Sequence, residues 1–536
     1  MMNTYHIHIN GLVQGVGFRP FVCQLAKKMN LYGWVSNTTD GVHVEINADA
    51  DKASIFYHEL TTQPPQNAVI IFHQIKKTEN KFFTSFDIHK SSKLTKPDLL
   101  LTPDIAVCND CKRELNEVAN KRHHYAFTTC LNCGPRYSII QSLPYDREHT
   151  TMLHMLICDS CTAEYNDIYN RRHYSQTNSC NDCRIKMHLY QSQAVEYNCK
   201  EDDIIDKAVE KFKEGKIIAV KGMGGYLLMC DATNETAVML LRERKKRPAK
   251  PFALLYADIE MANADVKLRS YETDALKSKI APIVLCERKN NSENNICINA
   301  IAPGLDKIGL MLPSTPLLYL IANQFGKPLI ATSGNISGSP IIYKDEDALV
   351  NLFDIADFIL TYEREIVAPQ DDSVIQFSDR GQKIILRRSR GLAPNYFPNP
   401  FKNNTKDILA TGGELKSAFA FLNQKNLYVS QFLGDQGSIE SQESYQNTYQ
   451  HISSLLQAKP DTILVDKHPN YFVSEWGKTI AQQSNTKVVE VQHHHAHLAA
   501  VLAENNLLHD KEPVLGFIWD GTGYGDDAQI WGGEIF

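Results

Sequence analysis

Four C-x-x-C pairs, Cys108/Cys111, Cys130/Cys133, Cys158/Cys161 and Cys180/Cys183, constrain this chain more than any other feature. The pairs are separated by 18, 24 and 18 residues, so the block repeats at a period of 50, and Arg122-His123 recurs as Arg172-His173. One C-x-x-C turn presents two thiolates, and two turns complete a tetrahedral sulfur shell. Each half has the spacing of a zinc site, so two zinc ions are expected over the eight cysteines. With four sulfur ligands each ion has no open position, which makes the sites structural. The spacing leaves open which pairs share an ion, since the pairs could interleave. Disulfides are the competing chemistry. The start, Met1-Met2-Asn3-Thr4-Tyr5-His6, lacks a basic stretch followed by an apolar one, which points to a reducing, cytoplasmic setting. Cys23, Cys199, Cys230, Cys286 and Cys297 are scattered and read as core or surface thiols.

The 536 residues allow three to five domains at about 100–200 residues each. Lys plus Arg is 56 against 62 Asp plus Glu, a net charge of −6, which lacks the basic footprint of a nucleic-acid binder. No apolar run approaches the roughly 18–20 residues of a membrane span, so no membrane partner is expected. The predicted fold class is multidomain α/β and α+β.

Thr4–Asn10 reads as a strand and leads into Gly11-Leu12-Val13-Gln14-Gly15-Val16-Gly17-Phe18-Arg19-Pro20. Three glycines let backbone N–H groups converge on an anion, and the helix that follows, to about Asn30, adds its positive end. Arg19 at the mouth can fork onto a phosphate. Strands at Tyr32–Asn37 and Val42–Asn47, a helix near 50–62 and further β-rich segments give the βαββαβ order of a ferredoxin-like sandwich. An ordinary strand–helix connection would use the same glycines. Val13–Arg19, with Gly33-Trp34-Val35-Ser36-Asn37 and Asp40-Gly41, resembles the acylphosphatase family. The resemblance implies that Arg19 binds a phosphoryl group and Asn37 orients the attacking water.

From about residue 200 the pattern is α/β. A strand at Lys216–Val220 precedes Lys221-Gly222-Met223-Gly224-Gly225-Tyr226, and a basic run, Arg242-Glu243-Arg244-Lys245-Lys246-Arg247-Pro248, follows. Such runs are usually solvated helix ends. Here the run is joined by Thr332-Ser333-Gly334-Asn335-Ile336-Ser337-Gly338 after an apolar strand at Pro328–Ala331, then by Asp371-Asp372-Ser373-Val374 and Arg387-Arg388-Ser389-Arg390-Gly391. Cations facing small hydroxyl and glycine turns suit a triphosphate. There is no Walker motif. These pieces are similar to the YrdC-like carbamoyl-adenylate domain. The match puts Lys245 and Arg247 on its K-x-R motif and Ser333 and Asn335 on its S-x-N motif, with Ser373 where a further polar contact falls. The implied reaction joins a carbamoyl group to AMP from ATP, with magnesium, and releases pyrophosphate.

Ile408-Leu409-Ala410-Thr411-Gly412-Gly413 is a strand and glycine turn suited to an actin-like ATPase lobe, with strand-like runs at Ser417–Leu422 and Leu427–Phe432. In Gln492-His493-His494-His495-Ala496-His497, His493 and His497 stand four apart, so on a helix both imidazoles face one side and can chelate one divalent metal. Asp520, closing a strand at Val514–Trp519, is the candidate third ligand. An adventitious surface metal site is the competing reading. This region resembles the TsaD-like carbamoyltransferase lobe.

The four modules in this order are similar to the HypF family of hydrogenase-maturation carbamoyltransferases across nearly the whole chain. The plan is an acylphosphatase-like domain at 1–92, a double C4 zinc-finger segment at 104–190, a YrdC-like domain at 198–395 and a partial TsaD-like domain at 405–536. What the resemblance implies is hydrolysis of carbamoyl phosphate, formation of carbamoyl-AMP, and transfer of the carbamoyl group to the C-terminal cysteine of the partner protein HypE for cyanide-ligand synthesis. Two departures accompany it. An actin-like ATPase needs two lobes, and about 130 residues supply one, so the chain reads as C-terminally truncated. Cys133 is followed by the family-like Gly134-Pro135-Arg136, but Cys183 by Arg184-Ile185. The alternatives are a threonylcarbamoyl-adenylate, tRNA-modifying enzyme, which the net acidity disfavours, and a zinc-based docking module with inactive enzyme domains.

Overall fold

Strand alternation dictates the first layer. In Asn3–Leu12 (β1) Ile7 and Ile9 are fully buried, and in Gly41–Ala48 (β3) so are Val42, Val44 and Ile46, while His6, His8, His43 and Glu45 take the other face. Phe18–Lys28 (α1) and Ala50–Thr62 (α2) cover the apolar face with Val22, Leu25, Ala26, Ala53, Phe56 and Leu60. With Tyr32–Thr38 (β2), Val69–Thr78 (β4) and Phe86–Ile88 (β5), the sheet order is β4-β1-β3-β2-β5. This is the expected ferredoxin-like sandwich, with a fifth strand added beside β2 in parallel.

The computed structural model describes residues 2–93, 96–336, 338–396, 398–401, 404–423 and 425–536. These form two units, Met1–Ser337 with Ile341–Leu392, and Gly338–Pro340 with Ala393–Phe536. The expected sandwich, cysteine segment and middle domain therefore share the first unit.

The cysteine segment repeats in space as it does in sequence. Cys108 and Cys158 each precede an eight-residue helix, Asn109–Asn116 and Asp159–Asn166. His124 and Tyr174, again fifty apart, both adopt the left-handed region, at φ 54° and 57°. The repeated arginines brace one half against the other. Arg122 donates from Nε to the Ser179 carbonyl at 2.9 Å and pairs with Glu164 at 2.5 Å. Arg172 donates to the Thr129 carbonyl at 2.9 Å and from Nη1 to Glu114 at 3.1 Å. Both guanidiniums are buried, so each needs its carboxylate.

The asymmetry after the second pair of each half has a cause in packing. Gly134 has φ +100°, and the chain beyond it sends Arg136 to the carbonyl of Gly15 in the first module, at 2.7 Å from Nε. Arg184 instead returns to the Asn181 carbonyl at 2.8 Å, and the chain enters strand Met187–Ser192. That strand, although inside the span expected for the cysteine segment, pairs antiparallel with Phe358–Tyr362 and belongs to the middle sheet.

That middle sheet has eleven strands among the described residues. Its centre, in order 307–311, 253–255, 329–333, 226–231, 218–221, 358–362, is buried along most of its length and mainly apolar, as a sheet covered on both faces requires. Helix Ile204–Lys213 buries Ile204, Ile205, Ala208, Val209 and Phe212, at helical spacing, and Phe212 meets Phe325 of helix Pro316–Phe325 edge to face at 5.9 Å. Each of the larger side chains contributes about 1.5–3 kcal/mol by burial.

In the second unit strands Ile408–Ala410, Thr462–Asp466 and Lys487–Val491 run parallel, and Ala420–Leu422 and Leu427–Val429 extend the sheet antiparallel. Helices Ile439–Leu456, Phe472–Ser484 and His493–Glu504 connect or follow them. Asp520 lies within strand Phe517–Tyr524, not at the end of one spanning Val514–Trp519, and the irregularity between Trp519 and Gly523 lifts it out of register. No helix among the described residues is long and apolar enough to cross a membrane.

Candidate functional sites

The eight cysteines form two clusters, Cys108/Cys111/Cys130/Cys133 and Cys158/Cys161/Cys180/Cys183, so the pairs do not interleave. In the first, Sγ separations are 3.7 Å (Cys108–Cys130), 3.8 Å (Cys130–Cys133) and 3.5 Å (Cys111–Cys133). In the second, Cys158–Cys180 is 3.7 Å and Cys161–Cys183 is 3.8 Å. A tetrahedral shell with zinc–sulfur bonds of about 2.3 Å has edges of about 3.8 Å, so both clusters fit zinc, and none of these cysteines is in a disulfide. Cations at equivalent repeat positions offset the thiolate charge: Arg171 reaches Cys111 Sγ at 2.8 Å and Lys121 reaches Cys161 Sγ at 3.8 Å.

In the first module Gly15 and Gly17 take φ +68° and +80°, curling the chain before α1. Arg19 and Asn37 are both buried there, and with its amide oxygen turned inward Asn37 accepts from Arg19 Nε and Nη2 at 3.1 and 3.2 Å. The zinc-finger segment closes this site. Asp146 pairs with Arg19 Nη2 at 2.7 Å, Tyr174 lies under the guanidinium at 5.5 Å, and Leu131, Arg136 and Tyr145 line the same small pocket. Gln14 fixes the loop, donating to the carbonyls of Thr38 at 2.6 Å and Gly41 at 3.0 Å and accepting from the Tyr145 amide at 3.0 Å.

In the middle domain Lys245 caps the C-terminus of helix Glu235–Arg244 and points at the end of strand Leu329–Ser333. Its Nζ donates to the Ser333 carbonyl at 2.7 Å, the Asn335 carbonyl at 2.8 Å and Asn335 Oδ1 at 2.7 Å, and Ser333 Oγ donates to the same Oδ1 at 2.9 Å. Arg247 donates to Thr332 Oγ1 at 2.9 Å and stacks on Phe252 at 4.9 Å. Burial, then the neighbouring Arg247, pulls the Lys245 ammonium down to about 7. Burial likewise lowers Arg247, to about 10. In both, burial disfavours the charged form and a neighbouring cation adds to it. Lys245, Arg247, Ser333 and Asn335 thus converge. Ser373 does not join them: it is fully buried, accepting from the Ser389 amide at 3.0 Å and donating to the Arg390 carbonyl at 2.9 Å. Its hydroxyl is committed to the backbone of that bend.

In the second unit His493 and His497 open helix His493–Glu504, which Gln492 caps by accepting from the His495 amide at 2.9 Å. Nε2 of His493 lies 3.0 Å and Nε2 of His497 3.8 Å from Asp520 Oδ2. One ligand atom from each of the three falls within 4.8 Å of the others. Asp466, at the end of strand Thr462–Asp466, holds His493 Nδ1 at 2.6 Å, which leaves Nε2 for a metal. That hydrogen bond raises the His493 pKa against the effect of burial. The donor set suits a divalent cation. His494 faces away, fully buried between Gln492 and the Gly532 carbonyl.

Comparison with known proteins decides the family. The carbamoyltransferase HypF of Synechocystis sp. is 44% identical over 535 residues, covering 100% of this chain and 68% of that protein. The chain belongs to the HypF carbamoyltransferase family. It spans about two thirds of such relatives, and it is an enzyme of that class carrying an acylphosphatase module. Family models match at 5–88 (acylphosphatase), 107–140 and 157–190 (HypF finger), 210–389 (described as telomere recombination, the YrdC-containing family) and 403–504 (HypF Kae1-like domain). The crystal structure of full-length HypF in the phosphate- and nucleotide-bound form is 36% identical, with TM-score 0.92 over 100% of this chain and 68% of that one. The T. kodakarensis HypF structure is 38% identical at TM-score 0.91, over 99% of this chain and 67% of that one. The HypF finger match and the two sulfur clusters together support structural zinc.

Three residues at these sites carry no motif in the sequence: Asp146, Tyr174 and Asp466. Only the fifty-residue period, which pairs Tyr174 with His124, marks any of them.

Proposed function

We propose that this chain carries carbamoyl phosphate through two linked reactions toward carbamoyl transfer. In the nest before α1, Arg19 holds the phosphoryl group and Asn37 orients water. Attack releases phosphate and leaves carbamate. Such a substrate is already activated, so charge stabilisation and a placed nucleophile suffice. In the middle domain Lys245 and Arg247 hold the triphosphate of ATP, bound with magnesium. The carbamate oxygen attacks the α-phosphorus, giving carbamoyl-AMP and pyrophosphate. Ser333 and Asn335 keep Lys245 aimed.

The observation that carries this reading is a buried polar chain from the nest before α1 to the 222–226 turn of the middle domain, where the Tyr226 carbonyl accepts at 2.6 Å from the amide of Gly334, between Ser333 and Asn335. Gly15 accepts from Arg136 at 2.7 Å, and Arg136 and Ser138 donate their amides to Asp104 at 2.7 and 3.1 Å. Gln370 donates to the other oxygen of Asp104 at 3.0 Å, and its amide donates to the Gly224 carbonyl at 2.8 Å. Asp104 and Gln370 are almost fully buried, so the loops around the sites are held in fixed register. Carbamate is short-lived in water, so a fixed connection between the two loops would be useful.

For the last step, His493, His497 and Asp520 would hold a divalent metal. When bound, such a metal polarises a carbonyl or phosphoryl oxygen. Asp466 keeps the His493 ring oriented. The acceptor is the C-terminal cysteine thiolate of HypE, whose sulfur bonds to the carbamoyl carbon as AMP leaves. The resulting thiocarboxamide is the precursor of the hydrogenase cyanide ligands. The test is Arg19→Ala. Carbamoyl-phosphate hydrolysis should vanish while zinc stays at two per chain; loss of zinc as well would mean that misfolding explains the defect.

A further inference from the structure

We propose that the outer face of the first module's sheet carries a separate binding site for a late first-row divalent cation, built from His8, His43 and Asp40 and backed by His6. None of these residues takes part in the reactions above.

The site follows from strand register. His8 on β1 lies directly opposite His43 on β3, and both point away from the core because Ile7, Ile9, Val42 and Val44 point into it. Their rings stack at 4.3 Å with an interplanar angle of 11°. The turn joining β2 to β3 brings Asp40 over the same pair. Gly41 makes this possible: it has φ +135°, and a Cβ there would meet the Ile9 carbonyl oxygen at 2.3 Å. The turn can therefore lie flat against β1 only with glycine at this position.

The donors converge. Asp40 Oδ1 is 3.1 Å from His43 Nε2, Oδ2 is 3.8 Å from His8 Nε2, and one donor atom from each residue lies within 4.8 Å of the others. The three side chains are 16–20% exposed, shielded yet reachable by an ion.

Support comes from His6. Its Nε2 lies 2.9 Å from His43 Nδ1. A ligating imidazole commonly hydrogen-bonds through its other nitrogen to a fixed partner, which sets its tautomer. In the structure His43 Nε2–H donates to Asp40 Oδ1 at 3.1 Å; with an ion bound, the ring proton would sit on Nδ1 and go to His6, which frees the Nε2 lone pair for the ion. Two imidazoles and one carboxylate, with room for water, select zinc, nickel or copper over magnesium or calcium. The bound ion would tie the β2–β3 turn, three residues beyond Asn37, to β1.

The experiment uses the full chain with His493→Ala and His497→Ala in place, so that the other candidate metal centre cannot contribute. Ni²⁺ alone is titrated and counted by equilibrium dialysis against the zinc-loaded protein. One further equivalent is expected. His8→Ala with His43→Ala should remove it, at least 100-fold in Kd, while zinc remains at two. His6→Ala, which keeps all three ligands, should weaken binding about 10–100-fold. No further equivalent, or one that survives loss of both histidines, overturns the site. Should the double variant lose its zinc and hence its fold, the unsubstituted residues still decide. Ni²⁺ must protect His8 and His43 from carbethoxylation in the parent protein, as read by peptide mass spectrometry, and equal labelling with and without Ni²⁺ refutes the proposal.

Discussion

Replacing Glu164 by Gln should loosen one zinc cluster selectively. Arg122 is almost fully buried and spends its donors on Glu164, the Ser179 carbonyl, Asn178 Oδ1 at 2.8 Å and Cys161 Sγ at 3.6 Å, all in the second repeat. The amide keeps an acceptor oxygen but removes the countercharge, leaving a buried guanidinium uncompensated. Breaking a buried pair this way costs roughly 3–5 kcal/mol. Glu164 is 18% exposed and Lys121 also touches it at 3.0 Å, so the lower end applies. About 3 kcal/mol is roughly two decades in the opening equilibrium of that half. Zinc transfer to a colorimetric chelator, with capture slower than reclosing, should therefore run about 100-fold faster for one of the two ions and unchanged for the other. Glu114→Gln should do the same to the partner cluster through Arg172. Glu210→Gln, on a solvated helix pair with Lys207 at 2.7 Å, is the control and should change nothing. Less than threefold acceleration in Glu164→Gln, or equal loss of both ions, would refute the cross-bracing.

Other expectations follow from the remaining sites. Because burial and Arg247 bring Lys245 down to about 7, the free site loses this charge as pH rises through 7. KM for ATP should therefore increase between pH 6 and 8, and Lys245→Arg should flatten that profile even if it lowers the rate. Asp466→Asn removes the carboxylate that holds His493 Nδ1 at 2.6 Å, so metal affinity at His493/His497/Asp520 should fall about 10–100-fold in a competition titration. Ser373→Ala strands the Ser389 amide it now satisfies at 3.0 Å, so it should lower thermal stability by about 1–3 kcal/mol while leaving KM for ATP unchanged.

Spacing made part of this legible. C-x-x-C pairs close in sequence and histidines four apart on a helix are local geometries, so the sulfur clusters and the His493/His497 face could be read before any fold was known. So could the turn chemistry around Gly15 and Gly17. What depends on tertiary pairing could not. Arg122 and Arg172 were visible as a repeat, but their partners lie 42 and 58 residues away in the opposite half. Asp466 is an unremarked acid at a strand end until the parallel sheet sets it beside the His493 helix. Ser373 shows the reverse case: its motif position suggests a ligand contact, and in the structure its buried hydroxyl bonds to the flanking backbone groups. Strand Met187–Ser192 begins inside the span expected for the cysteine segment yet pairs with a distant strand of the middle sheet, which local composition does not announce.

The central claim is that the two sites of the first unit act in series. Pyrophosphate release from ATP, measured on the 536-residue chain with and without carbamoyl phosphate, tests it most directly. Release that requires carbamoyl phosphate, and that Arg19→Ala abolishes, is the predicted result. Release that ignores carbamoyl phosphate, or none at all while its hydrolysis proceeds, would contradict it.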